Sequence, residues 1–126
     1  MSLVDEQGLI RPSAAEETRT QPQRDPSICC LACGHPVTRP KAAIEQGGCH
    51  EHTFRNPAGY SFHVLCFSEA PGCLSEGHPS SEASWFAGFT WTFGLCQGCR
   101  THLGWWYRRA EVPFAGLIAT RLARPQ

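Results

Sequence analysis

The chain has 126 residues with 41% hydrophobic and 17% charged, a formal net charge of zero, and eight Cys, six His and four Trp. That length suits one domain, and neutral charge with scattered Arg argues against a protein that binds nucleic acid by neutralising phosphates. No apolar run nears the ~20 residues of a bilayer span, and MSLVDEQGLIRPS lacks the basic and apolar regions of a secretory signal, so a cytoplasmic protein without membrane partners is expected.

Residues 1–27 read as a poorly ordered tail. RPSAAEETRTQPQRDPS has no aromatic residue and too little apolar surface to offset the cost of ordering, with at most a frayed helical turn at 9–19. The folded domain is expected over 28–122, followed by a short tail at 123–126. Inside it, Gly, Pro, Ser and Asn separate short aromatic and β-branched runs, a mainly β pattern. A helical turn is expected near Pro40–Glu45. His52–Arg55, the turn Asn56-Pro57-Ala58-Gly59 and Tyr60–Phe67 read as a hairpin. Further β segments are expected at Ser84–Leu95, His102–Arg108 and Gly116–Arg121.

Cys30-Leu-Ala-Cys33 and Cys96-Gln-Gly-Cys99 are two C-x-x-C pairs. A two-residue gap lets the backbone curl so that both thiolates reach one metal, and two such hooks make the four-thiolate tetrahedral set of structural zinc. The pairs are 62 residues apart, so one zinc per chain would tie distant segments together. A redox C-x-x-C belongs beside a βαβ pattern, and disulfides belong to a secreted chain; neither setting is present. Cys29 competes with Cys30 on spacing, but the two-residue gap of the second hook favours Cys30. Cys66 and Cys73 read as buried small hydrophobes, and His102 as a buried side chain near the second hook.

Trp85, Trp91, Trp105 and Trp106 fall within 22 residues. On extended backbone Trp85 and Trp91 share one parity, Trp105 and Tyr107 another, and Trp106 points to the opposite face. Three indoles and a phenol can therefore converge. Counting alone leaves core filling and a ligand cage equally open.

SWFAGFTW (84–91), CQGC (96–99) and HLGWWY (102–107), with CLAC (30–33), NPAGY (56–60) and FAGL (114–117), resemble the thalidomide-binding, or CULT, domain of the cereblon family. The resemblance spans about residues 28–122. It implies a β-tent: two antiparallel sheets meeting at an angle and pinned by zinc on Cys30, Cys33, Cys96 and Cys99. It also implies a cage walled by Trp85, Trp91 and Trp105, with Tyr107 at its base, Asn56 and Pro57 over its mouth, and Phe62 facing it. Ligand hydrogen bonds would come from the backbone at Ala83 and Trp85. Ala83 and Ala58 stand where relatives carry His, which puts affinity for extended ligands in question. The implied ligands are glutarimide-type cyclic imides, uracil or uridine-like rings, and protein C-termini cyclised to an imide. A 126-residue chain leaves no room for the Lon-like domain and ubiquitin-ligase adaptor segment found in larger members.

Three other readings compete. An aromatic cage can capture a methylated ammonium by cation–π attraction, with Glu82 as the nearby acid. A B-type methionine sulfoxide reductase shares a zinc-pinned β fold, but needs a reactive cysteine late in the chain, and no Cys follows Cys99. A zinc-knuckle nucleic-acid module conflicts with the neutral charge. His102, beside Gly104 and Trp105, is the only acid–base candidate near the cage and reads as structural, so the residues favour a binding module over an enzyme.

Overall fold

Strands form where aromatic and β-branched residues cluster, and they end at Gly, Pro and Asn. The computed structural model describes residues 26–110 and 112–125. Its strands in chain order are β1 (Ile28–Cys30), β2 (Pro36–Thr38), β3 (Glu51–Arg55), β4 (Ser61–Phe67), β5 (Cys73–Ser80), β6 (Thr90–Cys96), β7 (His102–Arg109), β8 (Val112–Ile118) and β9 (Leu122–Ala123). They build two antiparallel sheets, a small one ordered β9-β1-β2 and a large one ordered β3-β4-β8-β7-β6-β5. The expected mainly β, antiparallel architecture is what the chain adopts.

Alternation along the central strands gives the large sheet two apolar faces. On one, Leu65, Phe67, Leu103, Ala115 and Leu117 pack with Ile28, Cys30, Val37 and Leu122 of the small sheet. On the other, Cys66, Tyr107 and Phe114 pack with Phe86 and Phe89 from the 81–89 loop. Each fully buried Leu or Phe contributes about 1.5–3 kcal/mol, so both layers matter to stability. The first holds the sheets together; the second holds a loop against the sheet.

The β3–β4 hairpin forms as expected, with Phe54 opposite Phe62 and Arg55 opposite Ser61. Its turn is closed by Asn56 N–H donating to the Tyr60 carbonyl at 2.8 Å and Tyr60 N–H donating to Asn56 Oδ1 at 2.9 Å. Gly59 supplies the left-handed residue, with φ 94°.

Other elements depart from the sequence reading. The β region expected over Ser84–Leu95 begins only at Thr90. Ala83 (φ 54°) and Gly88 (φ 84°) break the extended path, and Phe89 N–H turns back onto the Phe86 carbonyl at 3.0 Å. Trp85 is therefore carried by a loop, and strand parity is not what aligns it with Trp91. The segment expected at Gly116–Arg121 starts earlier, at Val112, and Ala119–Arg121 is a 3-10 turn. Strand β5 was not expected: Gly77 and Pro79 suit an edge, and its register shifts between Glu76 and Ser80. The helical turn near Pro40–Glu45 is a single 3-10 turn at Pro40–Ala42. The helical turn suggested at 9–19 lies outside the described residues, as does the tail it belongs to up to residue 25.

One irregularity positions the site. Gly94 pairs with Gly104, but Leu95 pairs with His102, so Leu103 is an extra residue on β7. Such a β-bulge shifts the side-chain parity on one side of it by one. His102 thereby joins the face of Trp105 and Tyr107.

Candidate functional site

Two hooks of the same shape approach each other between the sheets. In the first, Cys30 N–H donates to the His35 carbonyl at 2.8 Å and Gly34 N–H to the Cys30 carbonyl at 2.7 Å. In the second, Cys96 N–H donates to the Thr101 carbonyl and Arg100 N–H to the Cys96 carbonyl, both at 2.8 Å. The residue after each second cysteine is left-handed, Gly34 at φ 81° and Arg100 at φ 68°. Gly98 makes room between the hooks. A Cβ there would lie 2.9 Å from His35 Cβ and 3.2 Å from Cys33 Sγ, so its missing side chain admits the facing hook.

The four thiol sulfurs of Cys30, Cys33, Cys96 and Cys99 all lie within 4.8 Å of one another. Cys30 and Cys99 are 3.8 Å apart, Cys33 and Cys96 3.6 Å. A tetrahedron with metal–sulfur bonds of about 2.3 Å has sulfur–sulfur edges of about 3.8 Å, so the donor set and its spacing fit a metal ion. Gly98 N–H donates to Cys96 Sγ at 3.3 Å. The Thr101 hydroxyl and N–H, bonded to the Cys99 sulfur, lower that thiol, whereas burial and the crowded sulfurs raise those of Cys30 and Cys33. The Thr101 contacts favour thiolate character at Cys99, as a metal ligand requires. Cys29 is half-buried on β1 and outside the cluster, which settles the spacing ambiguity in favour of Cys30. Cys66 and Cys73 are buried, and burial pushes both thiols up to about 12.

The aromatic site lies on the other face of the large sheet. On β6 and β7 the pairs Trp91–Tyr107 and Phe93–Trp105 stand opposite one another. Phe62 of β4 meets Trp105 edge-on, with centroids 5.6 Å apart. Trp85 crosses Trp105 at 4.9 Å and 78°, and its other side stacks on Phe54 at 4.8 Å and 13°. Two indole N–H groups are tied to backbone carbonyls: Trp85 Nε1 donates to Arg55 at 3.2 Å and Trp91 Nε1 to Glu82 at 2.8 Å. These bonds fasten the 81–89 loop to β3 and β6. They also satisfy polar groups that are costly to leave unpaired against apolar walls.

The result is a cavity of about 280 Å³ lined by Asn56, Pro57, Phe62, Ala83, Trp85, Trp91, Trp105 and Tyr107, together with Phe93 and His102. All eight residues expected around a ligand thus surround one space. Its size is at the small end for a ligand pocket and suits a single ring. Tyr107 is 2% exposed, and burial, then the neighbouring Cys66, raises its phenol well above the ordinary value. Among the described residues, no carboxylate lines the cavity. Gly116 lies under Tyr107, where a Cβ would be 2.9 Å from Tyr107 Cε2, so the floor ring rests directly on the strand. At the edge, Ala83 holds a left-handed φ of 54°. Among the described residues, neither its carbonyl nor the Trp85 N–H makes a hydrogen bond. Trp106 faces away, packs on the inter-sheet core, and donates from Nε1 to the Cys73 carbonyl at 3.3 Å.

Two lining residues were not assigned to the wall by the sequence reading. Phe93 shares the parity of Trp91 on β6, a signal that was there to use. His102, which directly follows the second hook, lines the cavity because the Leu103 bulge turns it there; nothing in the local sequence marks the bulge.

A mainly β domain of two antiparallel sheets, a four-cysteine metal-type cluster at their junction and three indoles around one cavity resemble a cereblon-type, or CULT, domain, and similarity to cereblon supports that likeness. Over 81 residues, 63% of this chain, it is 35% identical to the protein cereblon of Xenopus tropicalis and 33% identical to that of Gallus gallus. The Danio rerio protein cereblon is 32% identical over the same length. The chain spans just under a fifth of these relatives, 18–19% of their length. No family model matches the chain. Among the described residues no helix is long and apolar enough to cross a membrane.

Proposed function

We propose that residues 28–122 form a binding module, not an enzyme, that takes a flat, uncharged imide ring into the cage of Trp85, Trp91 and Trp105. Glutarimide-type cyclic imides are the first candidates. Uracil-like rings and protein C-termini cyclised to an imide present the same N–H between two carbonyls. The apolar ring faces would lie on indole and gain burial and dispersion. The imide edge needs one acceptor and at least one donor, or its desolvation is uncompensated. The observation that carries this reading is a pair of backbone groups at the cavity edge without a partner among the described residues, the Ala83 carbonyl and the Trp85 N–H. They are presented by a non-glycine residue held left-handed, the kind of strain that collects at binding sites. The cage floor would be Tyr107, with Phe62 a wall and Asn56 and Pro57 at the mouth.

The metal is proposed to be one structural zinc on Cys30, Cys33, Cys96 and Cys99, closing the sheet junction with no position open for catalysis. The nearest rival ligand is a methylated ammonium. The absence of a carboxylate from the cavity wall among the described residues speaks against it.

Competitive titration of the zinc-loaded protein with glutarimide, N-methylglutarimide, uridine and trimethyllysine tests the reading. Glutarimide should bind in the micromolar range, as suits so few ligand atoms. Its N-methyl form should bind at least about tenfold more weakly, because the facing carbonyl loses its donor. Equal binding of the parent and N-methyl compounds would exclude the hydrogen-bonded edge. Preference for trimethyllysine would move the site to the cation-cage class.

A further inference from the structure

His102 stands in the cage wall with both ring nitrogens engaged. Nε2 lies 2.8 Å from the Gly104 carbonyl oxygen. A carbonyl only accepts, so Nε2 carries the proton. Nδ1 lies 3.4 Å from Arg121 Nη1, a group that only donates, so Nδ1 presents its lone pair. The same Nη1 donates to the His102 backbone carbonyl at 2.7 Å, which anchors the guanidinium beside the ring. The two constraints select one state, the neutral Nε2–H tautomer. The ring meets Phe93 and Trp105 edge-on, at 5.4 and 5.1 Å. The Arg121 guanidinium carbon is also 6.0 Å from the centre of Phe62, another ring of the cage.

We propose that Arg121 is a positioning and specificity-determining residue of the cage. It holds His102 as an uncharged wall and sets a fixed positive charge behind His102 and Phe62, so that the cage takes neutral rings and rejects cationic ones. This rests on the ligand reading above and deepens it. Arg121 lies outside the cavity lining and acts through the residues it touches. Protonating His102 would set an N–H on Nδ1 against the guanidinium, two like charges with 3.4 Å between their nitrogens. Among the described residues, the groups around the ring are Arg121 from the 3-10 turn, the Gly104 carbonyl on β7, Phe93 on β6 and Trp105 on β7, and no carboxylate is among them. Burial first, and the Arg121 charge as well, outweigh the Gly104 carbonyl and hold the imidazole below the ordinary His range. A quaternary ammonium approaching Phe62 would meet a ring already facing a guanidinium.

The test uses the full zinc-loaded chain. Long-range proton–nitrogen NMR of the His102 ring should show the Nε2–H tautomer at pH 7, with protonation displaced below the ordinary histidine range. Glutarimide affinity should be flat from pH 8 to 6. In Arg121→Leu, His102 should titrate at higher pH, and glutarimide affinity should fall at least about threefold more at pH 6 than at pH 8. The ratio of trimethyllysine to glutarimide affinity should rise at least about fivefold, by the loss of a fixed repulsive charge. Arg121→Lys keeps a donor and a charge and should stay close to wild type. A wild-type His102 protonated on Nδ1, or charged at pH 7, overturns the proposal. So does an Arg121→Leu protein with unchanged His102 titration and ligand ratio. Should Arg121→Leu fail to fold, the wild-type tautomer and the Arg121→Lys ratio decide. A wild-type protein with the stated tautomer and no glutarimide binding refutes the ligand reading while supporting the positioning of His102 by Arg121.

Discussion

Replacing Gly116 by Ala tests Tyr107 as the cage floor. The new Cβ would lie 2.9 Å from Tyr107 Cε2 and 3.0 Å from Val64 Cγ1, where ordinary contact begins at 3.4 Å. The ring must therefore retreat by about 0.5 Å, the difference between ordinary contact and the 2.9 Å approach. Phe86 at 4.8 Å and the stacked Phe114 at 5.2 Å hem it in, which leaves the cavity as its way out. Overpacking of this kind costs about 1–3 kcal/mol. For a domain of this size that lowers the melting temperature by on the order of 10 °C. The raised floor should weaken glutarimide about tenfold, or about 1.4 kcal/mol. Thermal unfolding and ligand titration of the same zinc-loaded sample read both effects. Gly104→Ala is the control of opposite kind: its Cβ would fall on the Gly116 carbonyl oxygen and 2.8 Å from Leu117 Cα, backbone that cannot turn aside. That variant should yield no folded protein. A Gly116→Ala protein with wild-type melting and affinity would refute the assignment of Tyr107 as a floor held against the strand.

Metal analysis after exhaustive dialysis should find one zinc per chain, and Cys96→Ser should leave the chain largely unfolded, whereas exposed Cys49→Ser should fold normally; a folded wild-type protein without metal would contradict this. Arg100→Gly should leave zinc content unchanged and stabilise by up to about 1 kcal/mol in urea, because Arg100 holds φ 68° where a side chain is strained; clear destabilisation would mean that its exposed side chain contributes more than its backbone costs.

Much of this fold was legible because its signals are local. The β3–β4 hairpin announces itself through Asn56-Pro57-Ala58-Gly59, and the hooks through their two-residue gaps. The opposite outlook of Trp106 follows from simple alternation along β7. What the sequence hid depends on partners distant in the chain. Strand β5 contains Gly77 and Pro79 and looks unlike a strand, because an edge needs hydrogen bonds on one side only. Strands β1, β2 and β9 have two or three residues each, too few to show a period, and exist by pairing with one another. Trp85 reached the cage although the reasoning that placed it there, strand parity with Trp91, does not hold. A left-handed Ala83 and the Arg55 carbonyl bring it in instead. The face His102 takes was not legible for the same reason that makes β-bulges hard to foresee: one unpaired residue in a strand leaves no compositional mark.

The matched hooks bear on how the chain assembles. Each is closed by hydrogen bonds spanning no more than five residues, so each can form in the time of a local turn, without help from the rest of the protein. One rides on the small sheet and the other on the connection between two strands of the large sheet, so bringing them together requires closing the long stretch of chain between them. The cost of that closure rises only slowly with its length. A metal ion caught by either pair of thiolates would then search for the second pair within one molecule, at an effective concentration set by the intervening chain. Assembly of the sheet junction becomes a two-step capture, in which the pre-shaped halves determine geometry and the ion determines when they lock.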